Sequence, residues 1–324
     1  MQASSRLLTR ILLPYDNSPS ARNALRLAAA LSDICGEAIQ ALTLLRVISG
    51  SYLARHLHNV DLRVTRLNQT KAWQKIRARY MEEEIKPMLL EAQDILGRYG
   101  VGAPIELKIV EGKIGEQILA IAHDEKYSAI IMGRRGLSPL QELLLGSATS
   151  YVLARAAGVT VFIVGAEAAG APDRLIFPLL LPVDGSETSL EAVRQAAVLA
   201  QTCTITEPRL ILLSVVDLAL LGQLLPEESR RLVEEGHNAL AAARQILNQA
   251  GLGEYTREKL VNGIPAPVIA EVAEKEQCAL IFMGSVGHSA LSRFLMGSVT
   301  AALLQLVQKP TVAVVYPSEE ISLN

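Results

Sequence analysis

An internal repeat constrains this chain more than any other feature. Leu13-Pro14-Tyr15-Asp16-Asn17-Ser18 returns as Leu181-Pro182-Val183-Asp184-Gly185-Ser186, displaced by 168 residues. Ile131-Met132-Gly133 returns as Phe282-Met283-Gly284, and Leu145-Gly146-Ser147-Ala148-Thr149 returns as Met296-Gly297-Ser298-Val299-Thr300, both displaced by 151. The difference of 17 residues is extra length in the first copy, between Val47 and Gly112. Self-similarity on this scale means two copies of one folding unit, and 324 residues accommodate two domains of ~150. Each half is large enough to bury a core without a disulfide or metal. The expected domains are 1–168 and 169–324, joined in the small, polar stretch from Gly165 to Arg174.

Within each copy, short apolar runs alternate with helical periodicity. The first copy reads as strands at 10–15, 39–48, 105–110, 129–132 and 160–164, with helices at 18–36, 115–126 and 147–157 and a long helical region reaching residue 99. Pro87 should kink or break that long region. The second copy repeats the order, with strands at 177–183, 209–216, 256–261, 279–283 and 311–316 and helices at 187–201, 226–250, 265–276 and 298–307. The fold class is therefore α/β, a five-stranded, Rossmann-like parallel sheet in each of two tandem domains. Such sheets bind ligands beyond the carboxyl ends of their strands, where the strand order reverses.

Composition narrows the possibilities. Half the residues are hydrophobic and 20% are charged, which excludes a disordered chain. No run of ~18 apolar residues suggests a membrane span, and no signal peptide is legible. Three cysteines (Cys35, Cys203 and Cys278) without a C-x-x-C fit a reducing compartment, so a cytoplasmic protein is expected. The net charge of −2 conceals +4 over residues 1–168 and −6 over 169–324. Neither value is a nucleic-acid footprint, and 4% aromatic residues leave little for base stacking.

The loop after the fourth strand carries the chemistry. Gly133-Arg134-Arg135-Gly136, nine residues and Gly146-Ser147 match Gly284-Ser285-Val286-Gly287, nine residues and Gly297-Ser298. The pattern G-x2-G-x9-G-S thus occurs twice with identical spacing. Glycines permit close backbone approach to a ligand, and a helix opened by Gly-Ser offers free amides to an anion. Ser147 and Ser298 are phosphate donors or simple helix caps. No Walker A motif fits, and Gly100-Val101-Gly102 and Gly251-Leu252-Gly253 lack the third glycine of a dinucleotide fingerprint.

With these residues the chain resembles the universal stress protein family, in its ATP-binding and tandem-domain form. The resemblance covers nearly the whole chain and implies strand order 3-2-1-4-5, which puts the reversal between the strands that end in the aspartate and the glycine loop. It implies that Asp16 and Asp184 contact adenosine, with Pro14 and Pro182 lining that pocket and Val47 and Val215 against the adenine. It further implies that Gly133, Gly136, Gly284 and Gly287 cradle ribose and α-phosphate. Gly146, Ser147 and Ala148, with Gly297, Ser298 and Val299, would hold the outer phosphates of ATP with Mg. The alternative for each aspartate is a helix cap.

The copies depart from the family pattern in places. Ala148 replaces the usual Val, and Val159 stands where the second copy keeps Pro310. Arg134 and Arg135 form a basic pair that either meets phosphate or snorkels into solvent, and Glu142 occupies the slot of Arg293. His56 and His58 read as a surface pair, and Cys35 and Cys203, at equivalent helix ends, read as packing residues. The segment from Arg55 to Arg79 carries seven Lys/Arg and one Asp, with apolar stripes at Leu57, Val60, Val64 and Leu67 and at Trp73, Ile76 and Tyr80. It either covers the sheet with a solvated outer face or makes peripheral contact with anionic lipid or a protein partner. Three readings follow: an ATP-binding regulator, a slow ATPase or nucleotide-dependent enzyme, and a scaffold with nucleotide as structural ligand. The apolar last strands, at sheet edges in the family order, are expected to pair between the copies as a built-in dimer, with association of two chains left open.

Overall fold

A computed structural model describes residues 8–49, 71–135, 145–165, 172–203, 205, 207, 209–217, 226–287 and 296–316. The first copy runs β1 (Arg10–Pro14), α1 (Pro19–Cys35), β2 (Ala41–Ile48), α2 (Lys71–Tyr80) and α3 (Lys86–Arg98). It continues with β3 (Ile105–Glu111), α4 (Ile114–Asp124), β4 (Ala129–Gly133), α5 (Ser147–Arg155) and β5 (Thr160–Val164). The second copy comprises β6 (Leu179–Pro182), α6 (Glu187–Gln201), β7 (Leu210–Asp217), α7 (Pro226–Gln249) and β8 (Thr256–Gly263). It ends with α8 (Pro265–Lys275), β9 (Leu280–Gly284), α9 (Ser298–Leu306) and β10 (Thr311–Val315). Each strand and helix expected from the apolar pattern forms within a few residues at its ends, and the long helical region forms from residue 71 to 98, its earlier part lying outside the described residues.

All ten strands join one sheet in the order β3-β2-β1-β4-β5-β10-β9-β6-β7-β8. Each copy contributes five parallel strands in the order 3-2-1-4-5, so the reversal falls between the first and fourth strands. The seam is the one antiparallel pairing among these strands: Val312 faces Ile163, Ala313 faces Phe162 and Val314 faces Val161. The two apolar edges that would otherwise invite aggregation cover one another within the chain, as expected from the sequence.

Helices coat both faces, as they must when strands are apolar on both sides. On one face Leu13, Leu44 and Phe162 of the first copy pack in one cluster with Leu181, Leu212 and Phe282 of the second. On the other, Leu12, Ile130 and Val161 share a cluster with Leu180, Ile281 and Val314. Both cores therefore cross the seam. Phe162 meets Phe282 edge-to-face there, with centroids 5.7 Å apart, a favoured aromatic geometry.

The break expected at Pro87 takes another form. A π turn, Met81–Ile85, joins α2 to α3, with the Lys86 N–H bonded to the Met81 carbonyl. Pro87 lies in the first turn of α3, where a missing N–H is tolerated. The widened turn absorbs the proline and the helical path continues.

Candidate functional site

The β1–α1 and β6–α6 turns are built alike. Pro14 and Pro182 close their strands, and the aspartate two residues later folds back on the chain. Asp16 Oδ1 accepts the Ser18 N–H at 3.0 Å, and Asp184 Oδ1 accepts the Ser186 N–H at 3.0 Å and its hydroxyl at 2.5 Å. The intervening residue is left-handed, Asn17 at φ 64° and Gly185 at φ 83°, which suits Asn and Gly. The serines, not the aspartates, cap the helices. Ser18 Oγ accepts the Ala21 N–H at 3.1 Å, and Ser186 Oγ accepts the Ser189 N–H at 3.3 Å. Asp184 is exposed at the strand end and Asp16 is half-buried.

Across the reversal, β4 and β9 end in glycines that the neighbouring helices require. A Cβ on Gly133 would stand 2.6 Å from Ser20 Cβ, and one on Gly284 would stand 2.6 Å from Thr188 Oγ1. Gly287 passes over the aspartate, so that its Cβ would lie 2.4 Å from Asp184 Oδ2. The loops are tied to the opposite turn. Ser18 Oγ donates to the Arg135 carbonyl at 3.3 Å, and the Thr188 hydroxyl donates to the Val286 carbonyl. Each loop closes on itself, with the Gly146 N–H on the Arg134 carbonyl at 2.8 Å and the Gly297 N–H on the Ser285 carbonyl at 2.7 Å. Gly136 lies outside the described residues.

The helices that follow are capped differently from α1 and α6. Gly146 and Gly297 occupy the cap positions of α5 and α9, and among the described residues neither helix receives a side-chain cap. Ser147 and Ser298 are the first helical residues and are exposed. The simple-cap alternative for these serines is therefore replaced by an open helix N-terminus with a hydroxyl beside it. Ala148 and Val299 follow, half-buried. Val47 and Val215 sit near the ends of β2 and β7, paired with Val110 and Val261.

Two positioning residues escaped the motif reading. Thr149 Oγ1 donates to the Gly133 carbonyl at 3.1 Å, and Thr300 Oγ1 donates to the Gly284 carbonyl at 3.0 Å. These buried hydroxyls lock each open helix end against the glycine that precedes the loop. Their recurrence at one place in both copies was the available signal.

Arg134 is half-buried, and its guanidinium donates to the Leu304 carbonyl of the second copy. Burial, then the neighbouring Arg135 charge, lowers its pKa. Cys35 and Cys203 pack against the core, and burial pushes the Cys35 thiol up to about 11. His56, His58, Glu142 and Arg293 lie outside the described residues, as does the basic segment up to residue 70. Among the described residues no cluster of three or more His, Cys, Asp or Glu could hold a metal ion, and no helix is long and apolar enough to cross a membrane.

Comparison with known proteins agrees with the duplication. The model of the universal stress protein family matches twice, over residues 8–164 and 177–315. A universal stress protein of Methanocaldococcus jannaschii, MJ0531, is 31% identical over 153 residues, which are 46% of this chain and 87% of the relative. A universal stress protein structure from Archaeoglobus fulgidus shares the fold at a TM-score of 0.65 and 20% identity, covering 95% of this chain and 98% of that one. A functionally unknown protein from Pseudomonas aeruginosa, PA1789, shares it at a TM-score of 0.58 and 17% identity, covering 99% and 96%. With two family matches that together span most of its length, the chain belongs to the universal stress protein family.

Proposed function

We propose that this protein is a cytoplasmic regulator that binds adenine nucleotide, ATP with Mg, once in each copy. The observation that carries the reading is the pair of uncapped helix N-termini, each opened by Gly-Ser and aligned at the strand reversal with an aspartate. Free first-turn amides and the helix dipole favour an anion, and an exposed serine hydroxyl adds a donor. In this reading Gly146, Ser147 and Ala148, with Gly297, Ser298 and Val299, hold the outer phosphates. Asp16 and Asp184 take the ribose, with Pro14, Pro182, Val47 and Val215 around the base. Gly136 and Gly287 admit the ribose and α-phosphate. Gly133 and Gly284 act indirectly, through the close approach of α1 and α6 that brings each aspartate to its loop.

The test is calorimetric titration of nucleotide-stripped protein with Mg-ATP. Two molecules per chain are expected. Ser298→Asp, which sets a carboxylate where phosphate would bind, should reduce this to one. Absence of binding at both loops overturns the reading.

A further inference from the structure

Arg134 belongs to the first glycine loop, yet its side chain leaves it. Its carbonyl accepts the Gly146 N–H and so closes the loop in front of α5. Its guanidinium crosses the seam and donates to the Leu304 carbonyl, in the last turns of α9. Carbonyls there lack a partner within the helix, and the helix presents the negative end of its dipole. The same helix begins at Ser298, in the second loop's phosphate cradle. A single residue thus touches the closure of loop one through its main chain and the helix of loop two through its side chain.

Among the described residues the arrangement has no counterpart in the opposite direction. Ser285 occupies the place of Arg134 in the second loop and offers a carbonyl to Gly297, but its side chain is too short to span the seam. Leu153, the counterpart of Leu304, is held instead by the Tyr316 hydroxyl at 2.5 Å. Tyr316 follows β10 and belongs to neither loop. The arginine also sits at some cost: one of its Nη atoms is buried without a hydrogen-bond partner among the described residues, and Arg135 repels it. A half-buried cation with one nitrogen so placed is a poor way to glue two surfaces that an apolar side chain could join.

We infer that Arg134 is a positioning residue that couples the two sites. Resting on the nucleotide reading above, the inference is that filling loop one fixes the Arg134 main chain and steadies its guanidinium on Leu304. That contact holds α9 with its first turn set for the second nucleotide. Linkage is reciprocal, so filling either site raises affinity at the other by the same factor, about fivefold or more.

The full chain with Mg-ATP as probe tests this in two arms. In titrations the wild type should bind with positive cooperativity. R134M should bind at two independent sites, and R134K, which keeps a charged donor, should retain part of the linkage. A merely structural arginine would lower stability or both affinities and leave cooperativity intact. Independent sites in the wild type, or cooperativity that survives in R134M, overturn the inference while leaving nucleotide binding standing. The second arm needs no nucleotide: amide exchange along α9 should accelerate in R134M as far as its first turn. Unchanged exchange overturns the link by itself, and no ATP binding at either loop overturns the nucleotide reading and this inference together.

Discussion

At the scale of single residues, the glycines divide by what stands against them. Gly284 ends β9 where a Cβ would meet Thr188 Oγ1 at 2.6 Å and its carbonyl carbon at 2.8 Å. Backbone cannot yield as a side-chain tip does, so Gly284→Ala should destabilise the fold by about 1–3 kcal/mol, read as a lower urea midpoint. The family resemblance implies a ligand contact at this glycine; the packing adds a requirement set by the start of α6. Cys278 makes a pH prediction. Burial pushes its thiol from 9.0 up to about 12, because the low-dielectric interior disfavours the thiolate. The unfolded chain releases this proton above about pH 9, while the folded chain keeps it until about pH 12. Its contribution to stability is thus fully present below pH 9 and is lost as pH rises through that window. Cys278→Ala should flatten the alkaline fall in melting temperature between pH 9 and 11 relative to wild type.

At the scale of elements, four helix N-termini come in two kinds, and the difference is measurable. α1 and α6 are capped by Ser18 and Ser186, whereas α5 and α9 begin at glycine without a side-chain cap. Ser18→Ala should cost about 1 kcal/mol in urea unfolding. Ser147→Ala, at an exposed position that caps nothing, should stay within about 0.5 kcal/mol yet weaken nucleotide binding at the first loop. Equal losses of stability in the two variants would contradict this assignment. The elements themselves were legible in the sequence because apolar runs of period suited to buried strands and amphipathic helices alternate without ambiguity. The π turn at Met81–Ile85 was not legible, since the choice between breaking and widening a helix before Pro87 depends on packing: Ile85 and Leu89 are anchored in the core on either side.

At the scale of the whole molecule, the seam unites the copies. Phe162 is fully buried and touches Phe282 across it, so Phe162→Ala should cost about 3–5 kcal/mol. Because both cores continue through β5 and β10, the two copies should unfold together. Calorimetry should show one transition, and two resolved transitions in the wild type would count against a shared core. The outer edges are handled otherwise. β3 exposes Glu106 and Glu111, and β8 exposes Arg257 and Glu258; edge charges of this kind discourage further pairing. The free edges differ from the seam in charge, and the seam strands, Thr160–Val164 and Thr311–Val315, are wholly buried.

The sequence by itself determined the duplication, the α/β class, the strand order through the family resemblance, and the doubled Gly-Ser loop. Those properties are written in local periodicity and spacing, which survive without coordinates. Tertiary structure alone decided that α1 and α6 press closely on Gly133 and Gly284 and that Arg134 reaches Leu304. Each of these depends on which residues, distant along the chain, are brought within hydrogen-bonding or van der Waals reach. Arg134 and Leu304 are 170 residues apart, and no local pattern records a contact made only when two copies of one motif meet across an antiparallel seam.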